Sequence, residues 1–237
     1  MAKIIDEISV FFPAYNEEGN IKKTVLDAKK VLLNIANKWE IIIVNDGSKD
    51  KTSEIAHKLE KEDKRIRVID QVNQGYGGAL KTGIYSCKYS WITFTDSDGQ
   101  FDFAEVTNFI EEQKITKSDV VIGYYKKRQV SNFKILTSKI WEAAVFILFG
   151  LHVTDIDCGF KLISKSVINK IPKLQSARGA FISSEFLIKA KRSEFKIVEI
   201  PITHYARKKG IGTGRDVKVI LQSFLDLGKL WVKLNLL

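Results

Sequence analysis

The sequence predicts an α/β fold, a mostly parallel sheet flanked by helices, with an amphipathic helix at its C-terminal end. Short β-branched runs alternate with helical patterns through the first half, the order expected of a parallel sheet. The connections are short and rich in Gly, Asn, Asp and Ser. The polar, glycine-containing loops all follow strands, the edge at which ligands gather in such sheets.

Strands are read at Ile8 to Phe12, Glu40 to Val44, Ile66 to Ile69, Trp91 to Thr95 and Val120 to Gly123. Helices are read between them at Ile21 to Ile35, Thr52 to Leu59, Ala79 to Ser86 and Glu105 to Gln113. After Gly123 come a long amphipathic helix, an irregular Asp-rich stretch, a helix over Phe181 to Arg192 and a strand through Ile197 to Ile202. This second half reads as an acceptor-side elaboration of the same domain.

Hydrophobic residues at 45% and charged ones at 28% exclude a disordered chain, and no repeat is visible. The net charge of +10 is uneven, with sixteen Lys/Arg against five Asp/Glu from Lys161 onward and 22 against 23 before it. Such a bias fits an anionic partner (nucleic acid, anionic lipid or a phosphorylated substrate) or simply a solvated lysine surface. A nucleic-acid partner is set aside, since no RRM, KH, helix-turn-helix or zinc signature is present. Cys87 and Cys158 belong to no Cys/His cluster, which fits a reducing cytoplasm. Lys3, Asp6 and Glu7 interrupt any signal-peptide core. The longest charge-free apolar run, Ala143 to Thr154, is twelve residues, against about 20 for a spanning helix.

Four loops carry the chemistry. In Thr95-Asp96-Ser97-Asp98-Gly99-Gln100, two carboxylates one residue apart can hold a hard divalent cation, and Gln100 can add a carbonyl oxygen. The same residues also suit a solvated turn. Asp102 to Glu105 reads as a capping box for the next helix. Asn45-Asp46-Gly47-Ser48 places a carboxylate at a strand end, able to receive a nucleobase N–H or to form a turn in which Ser48 or Asp50 caps the following helix. Asn73 to Ala79 is glycine-rich but is neither G-x-G-x-x-G nor a Walker A loop. Its glycines permit close backbone approach ahead of a helix N-terminus, a ready anion site.

Taken in order, Pro13-Ala14-Tyr15-Asn16-Glu17, Asn45-Asp46-Gly47-Ser48, Asn73-x-Gly75-x-Gly77 and Asp96-x-Asp98 resemble family 2 glycosyltransferases of the GT-A fold. Asp157-Cys158-Gly159-Phe160-Lys161 is similar to the D-x-G-F-K/R element of dolichyl- and polyprenyl-phosphate sugar synthases. The resemblance implies a catalytic domain over residues 1–210 and a basic amphipathic helix over 211–237. It implies that Pro13, Ala14, Tyr15, Asn16, Glu17, Asp46, Gly47, Gly75, Gly77 and Asp96 bind a nucleotide-diphosphate sugar. Asp96, Asp98 and Gln100 are to hold Mg2+ or Mn2+, with Asp98 and Asp157 catalytic. Lys161, Glu185, Arg207, Lys208 and Lys209 are implied to meet the acceptor phosphate. Related synthases often show R-x-x-G-x-S-K where this chain reads Arg207-Lys208-Lys209-Gly210-Ile211-Gly212-Thr213-Gly214.

A polyprenyl or dolichyl phosphate is anionic at neutral pH, so it attacks with little general-base help. With a glycan or lipid-diphosphate-linked hydroxyl as acceptor, Asp157 becomes a true base. From Val217 onward, Lys218, Gln222, Asp226, Lys229 and Lys233 mark one helix face, against Val219, Ile220, Phe224, Leu227, Leu230, Trp231 and Leu234. Such a helix lies in a lipid interface or docks on the core or on a second subunit. The apolar stretch Ile140 to Leu151 offers a neighbouring interfacial helix or core packing. The expectation is a peripheral protein at the cytoplasmic face of a membrane, or a chain cut short before transmembrane helices, with a homo-oligomer or a membrane-protein partner as further possibilities.

Overall fold

The computed structural model describes residues 3–126, 132–176, 179, 181–206 and 217–236. Its centre is a seven-stranded sheet in the order β3-β2-β1-β4-β6-β5-β7. The strands are β1 (Ile5–Ala14), β2 (Ala36–Asn45), β3 (Ile66–Asp70), β4 (Trp91–Phe94), β5 (Val120–Tyr125), β6 (Lys161–Ser164) and β7 (Ile197–Ile202). Every described pairing is parallel except the two made by β6, which runs against β4 and β5. From Ile8 to Ala14, β1 is buried at every position, as a strand covered on both faces must be.

Helices α1 (Ile21–Ile35), α2 (Thr52–Glu62) and α4 (Val106–Thr116) cover one face. The spacing of Ile21, Val25, Ala28, Leu32 and Ile35 places one apolar stripe of α1 against Val10, Phe12, Ile41 and Ile43. Helices α3 (Tyr76–Ser86), α5 (Asn132–Phe149), α6 (Lys165–Lys170), α7 (Phe181–Arg192) and α8 (Val217–Leu236) form the other layer, over Phe11, Ile42, Val44 and Phe94. A single 3-10 turn, Phe103–Glu105, precedes α4.

The registers bring the strand ends together. Ala14 pairs with Asn45 and Asn45 with Asp70, so β1, β2 and β3 finish level. Because β6 is antiparallel and pairs Lys161 with Phe94 and Ile122, its first residue stands at the carboxyl ends of β4 and β5. Residues 157–160 are thereby delivered to the same edge. Ile202 pairs with Tyr125, so the chain after β7 arrives there as well.

Asp102 caps the 3-10 turn through Ala104 N–H at 2.9 Å. The second half of the expected capping box does not form, because Glu105 accepts from Thr203 N–H instead and ties that turn to the end of β7. Asp50 accepts from Thr52 N–H at 3.0 Å, as its position ahead of α2 predicts.

Helix α8 docks on the core. Leu227 and Leu230 are buried, Phe224 packs on Trp141 of α5 with ring centroids 5.0 Å apart, and Arg192 of α7 donates to Asn235. Leu225 and Val232 stay exposed on α8, as do Ile140, Phe146 and Ile147 on α5. None of the helices among the described residues is long and apolar enough to cross a membrane.

Candidate active site

The loops after β1 and β2 form one surface. Asn16 adopts a left-handed conformation, φ 55°, which lets its N–H donate to Ser48 Oγ at 3.0 Å while its side-chain oxygen accepts from Lys49 N–H at 2.8 Å. Glu17 N–H donates to Thr52 Oγ1 and Asp46 N–H to Ala14 O. Tyr15, 41% exposed, stands on the rim of this surface. Pro13 O accepts from Ser97 Oγ at 2.7 Å, which binds the end of β1 to the loop after β4. Pro13, Ala14, Tyr15, Asn16 and Glu17 thus lie together with the loop that carries Asp46 and Gly47.

Asp46 is engaged within the chain. Its Oδ1 accepts from Gln71 Nε2 at 2.6 Å and Gln74 N–H at 2.8 Å, and its Oδ2 from Gly75 N–H at 2.8 Å. The carboxylate, 2% exposed, therefore shapes the glycine loop. Gly47 has φ 71°, and a Cβ there would meet Asn73 N at 2.9 Å, so only glycine lets the two loops approach. Gly75 ends this strap and Gly77 is buried in the first turn of α3.

The strap reaches the carboxylate pair. Tyr76 Oη donates to Asp96 Oδ1 at 2.8 Å. Asp98, 9% exposed, accepts from Gln100 N–H at 3.0 Å. Burial first, and then the charge of Asp98, push the Asp96 carboxyl up to about 6. A buried carboxyl raised in part by a second acid beside it suits a divalent cation, which relieves the repulsion. Among the described residues no group of three or more His, Cys, Asp or Glu side chains could hold a metal. A two-carboxylate site instead leaves coordination positions for phosphate oxygens, the usual pattern for Mg2+. Gln100 donates Nε2 to Tyr205 O at 2.9 Å and accepts Tyr205 N–H at its backbone oxygen, leaving its amide oxygen as a further donor to a cation. His204 packs against Tyr125 and Phe101, centroids 4.4 and 5.6 Å away; burial lowers its pKa while the charge of Asp98 opposes that shift.

The element at residues 157–161 closes the ring of loops. Asp157 is exposed, and Gly159 packs on the Asp96 carboxylate. Lys161, 1% exposed, turns inward: its ammonium donates to the carbonyls of Cys158 and Ile156, and burial pushes its pKa down. Lys161 therefore holds the turn beneath Gly159 and does not present its charge to an acceptor phosphate. Glu185 departs from expectation in the same way, since it is buried and accepts from Gln175 N–H, Ser176 N–H and Oγ, and Lys189 Nζ. Arg207, Lys208 and Lys209 lie outside the described residues. Tyr76, Gln71, Ser97 and His204 escaped the sequence reading; the first and third stand in the variable positions of recognisable motifs.

The profile of glycosyl transferase family 2 matches residues 9–172. The chain is 32% identical over 220 residues to a dolichyl-phosphate beta-glucosyltransferase of Saccharomyces cerevisiae, covering 83% of this chain and 66% of the yeast protein. It thus spans a little under two thirds of that relative's length. A UDP-N-acetylglucosamine–dolichyl-phosphate N-acetylglucosaminyltransferase of Methanococcus voltae is 30% identical, with 93% and 94% of the two chains covered. The fold matches glucosyl-3-phosphoglycerate synthase from Mycobacterium tuberculosis, solved with Mn2+, uridine diphosphate and phosphoglyceric acid, at a TM-score of 0.72 and 18% identity over 95% of this chain and 78% of that one. With four decorated strand ends on a sheet of this order and a family profile covering most of it, the chain belongs to glycosyl transferase family 2.

Proposed function

We propose that the chain transfers a hexose from a nucleotide-diphosphate sugar, of the GDP-mannose or UDP-glucose type, to a dolichyl or polyprenyl phosphate with inversion at the anomeric carbon. The carrying observation is the Asp96–Asp98 pair, held at the strand-end crevice by Tyr76 and Gly159. The names of the yeast and archaeal relatives support a lipid-phosphate acceptor.

Asp96 and Asp98, with the Gln100 amide oxygen, would hold Mg2+ or Mn2+, which when bound beside a diphosphate supplies Lewis-acid neutralisation of the leaving charge. The chain's own part is placement. The surface joining residues 13–17 to residues 46–52 receives the nucleoside, and α3 brings the positive end of its dipole to the crevice beside the diphosphate. An acceptor phosphate oxygen forms the new bond to the anomeric carbon. The bond from that carbon to the donor's β-phosphate oxygen breaks, and its electron pair leaves with the nucleoside diphosphate. No proton moves, since the acceptor is already anionic, so positioning and charge stabilisation provide the rate.

The lipid is met, on this reading, at the outer side of α5 and α8. Ile140, Phe146 and Ile147 are exposed on α5 and Leu225 and Val232 on α8, and Lys139 and Lys229 of the same helices are exposed as well, a composition suited to an anionic membrane surface on the cytoplasmic side.

A radiolabelled donor offered with a short polyprenyl phosphate and, separately, the corresponding polyprenol tests the acceptor. Label on the phosphate alone is the expected result. Label on the polyprenol would overturn it in favour of a hydroxyl acceptor, for which Asp157 would serve as base.

A further inference from the structure

We infer that Tyr76 is a positioning residue for Asp96, one that couples the glycine loop to the cation site; this rests on the reading of Asp96 and Asp98 as cation ligands. Tyr76 is the first residue of α3 and its hydroxyl donates to Asp96 Oδ1 at 2.8 Å. On the other side Gly159 abuts the same carboxylate, where a Cβ would stand 2.7 Å from Oδ2. One oxygen is thus fixed by a hydrogen bond and the group's rotation is limited by backbone, so a single carboxylate orientation is selected before any ligand binds.

The phenol is itself fixed from two directions. Its ring is partly buried against the core cluster that contains Ala79, Leu80 and Phe94. The two residues before it, Gln74 and Gly75, donate their N–H groups to Asp46. Any ligand that reshapes residues 73–75 therefore moves the group that orients Asp96. The strap runs from β3 to Asp46 at the end of β2 and on to Asp96 after β4, crossing the end of β1. It is a hydrogen-bonded route from the nucleoside side of the crevice to the side chain of Asp96, in addition to the Ser97–Pro13 bond that ties the backbone of the carboxylate loop to β1.

Tyr76→Phe keeps the ring and its packing and removes only the donor. Mn2+ is titrated into the full chain with UDP and, separately, GDP, by free-ion electron paramagnetic resonance, for wild type, Tyr76→Phe and Asp96→Asn. Loss of one hydrogen bond to a charged group predicts about tenfold weaker Mn2+–nucleotide binding by Tyr76→Phe. Its urea midpoint should fall only by the share of one hydrogen bond, the chain remaining folded under the assay conditions, while Asp96→Asn loses the binding altogether. Wild-type affinity in Tyr76→Phe alongside loss in Asp96→Asn would overturn the role of Tyr76 and leave the cation site standing. No Mn2+ binding by wild type with either nucleotide would overturn the site reading and this inference together.

Discussion

Gly159 lies against the carboxylate of Asp96 so closely that a Cβ at position 159 would stand 2.7 Å from Oδ2 and 3.1 Å from Oδ1. The antiparallel course of β6 makes this contact, because it starts the strand at the edge where β4 ends. Gly159→Ala must displace Asp96 by a few tenths of an ångström or more. Displacements approaching 1 Å lower rates by about 100-fold. We expect kcat to fall by that order while far-UV circular dichroism is unchanged.

Asp46 carries three described donors on one buried carboxylate. Asp46→Ala leaves the N–H groups of Gln74 and Gly75 without their acceptor, and hydrogen bonds to a charged group contribute roughly 1.5–3 kcal/mol. Urea denaturation should show a loss of about 2 kcal/mol, and amide exchange should rise in residues 73–76 more than elsewhere. The donor KM should increase even though Asp46 need not touch the base.

Glu40 anchors the opposite edge of the sheet. It is 0% exposed and accepts from Ser9 Oγ at 2.7 Å, Lys88 N–H at 2.9 Å and Arg67. Glu40→Ala strands a buried hydroxyl and a backbone N–H, and should destabilise by about 3 kcal/mol. Since the crevice lies at the far ends of these strands, kcat of the folded fraction should stay at the wild-type value.

His57 joins α2 to the end of β3. Its ring nitrogens lie 2.9 Å from Glu60 and 2.7 Å from Asp70, and Asp70 also accepts from Asn45. Glu60 first, and Asp70 with it, hold the imidazole above its ordinary 6.5. The folded-state value is the higher one, so this stabilisation is complete below pH 6.5 and is lost as pH rises through the raised value. Thermal melts across that window should show the wild-type advantage over His57→Gln shrink with rising pH. An advantage independent of pH would contradict it.

Much of this was legible in the residues. The bounds of α1, α7 and β7 are those the sequence predicts; in α1 the buried residues form one helical stripe, whereas α7 is buried at every position from Phe181 to Ala190. The four polar loops were equally plain. What was hidden depends on partners distant in the chain. Strand β6 is four residues long and opens on a lysine, and only its pairing between β4 and β5 makes it a strand. Lys161 and Glu185 looked like ligands for a phosphate, but burial turns both toward the chain's own polar groups. The tie from Tyr76 to Asp96 spans a loop-to-loop approach that no local pattern encodes.

The most direct test of the account is transfer itself. Purified protein is given Mg2+ or Mn2+, a panel of labelled GDP- and UDP-sugars and a short polyprenyl phosphate, with EDTA and Asp98→Asn as parallel arms. Label is expected in the organic phase from one class of donor, lost with EDTA and in Asp98→Asn. Transfer that persists in EDTA and in Asp98→Asn would contradict it, because the carboxylate pair would then not be where the leaving charge is stabilised.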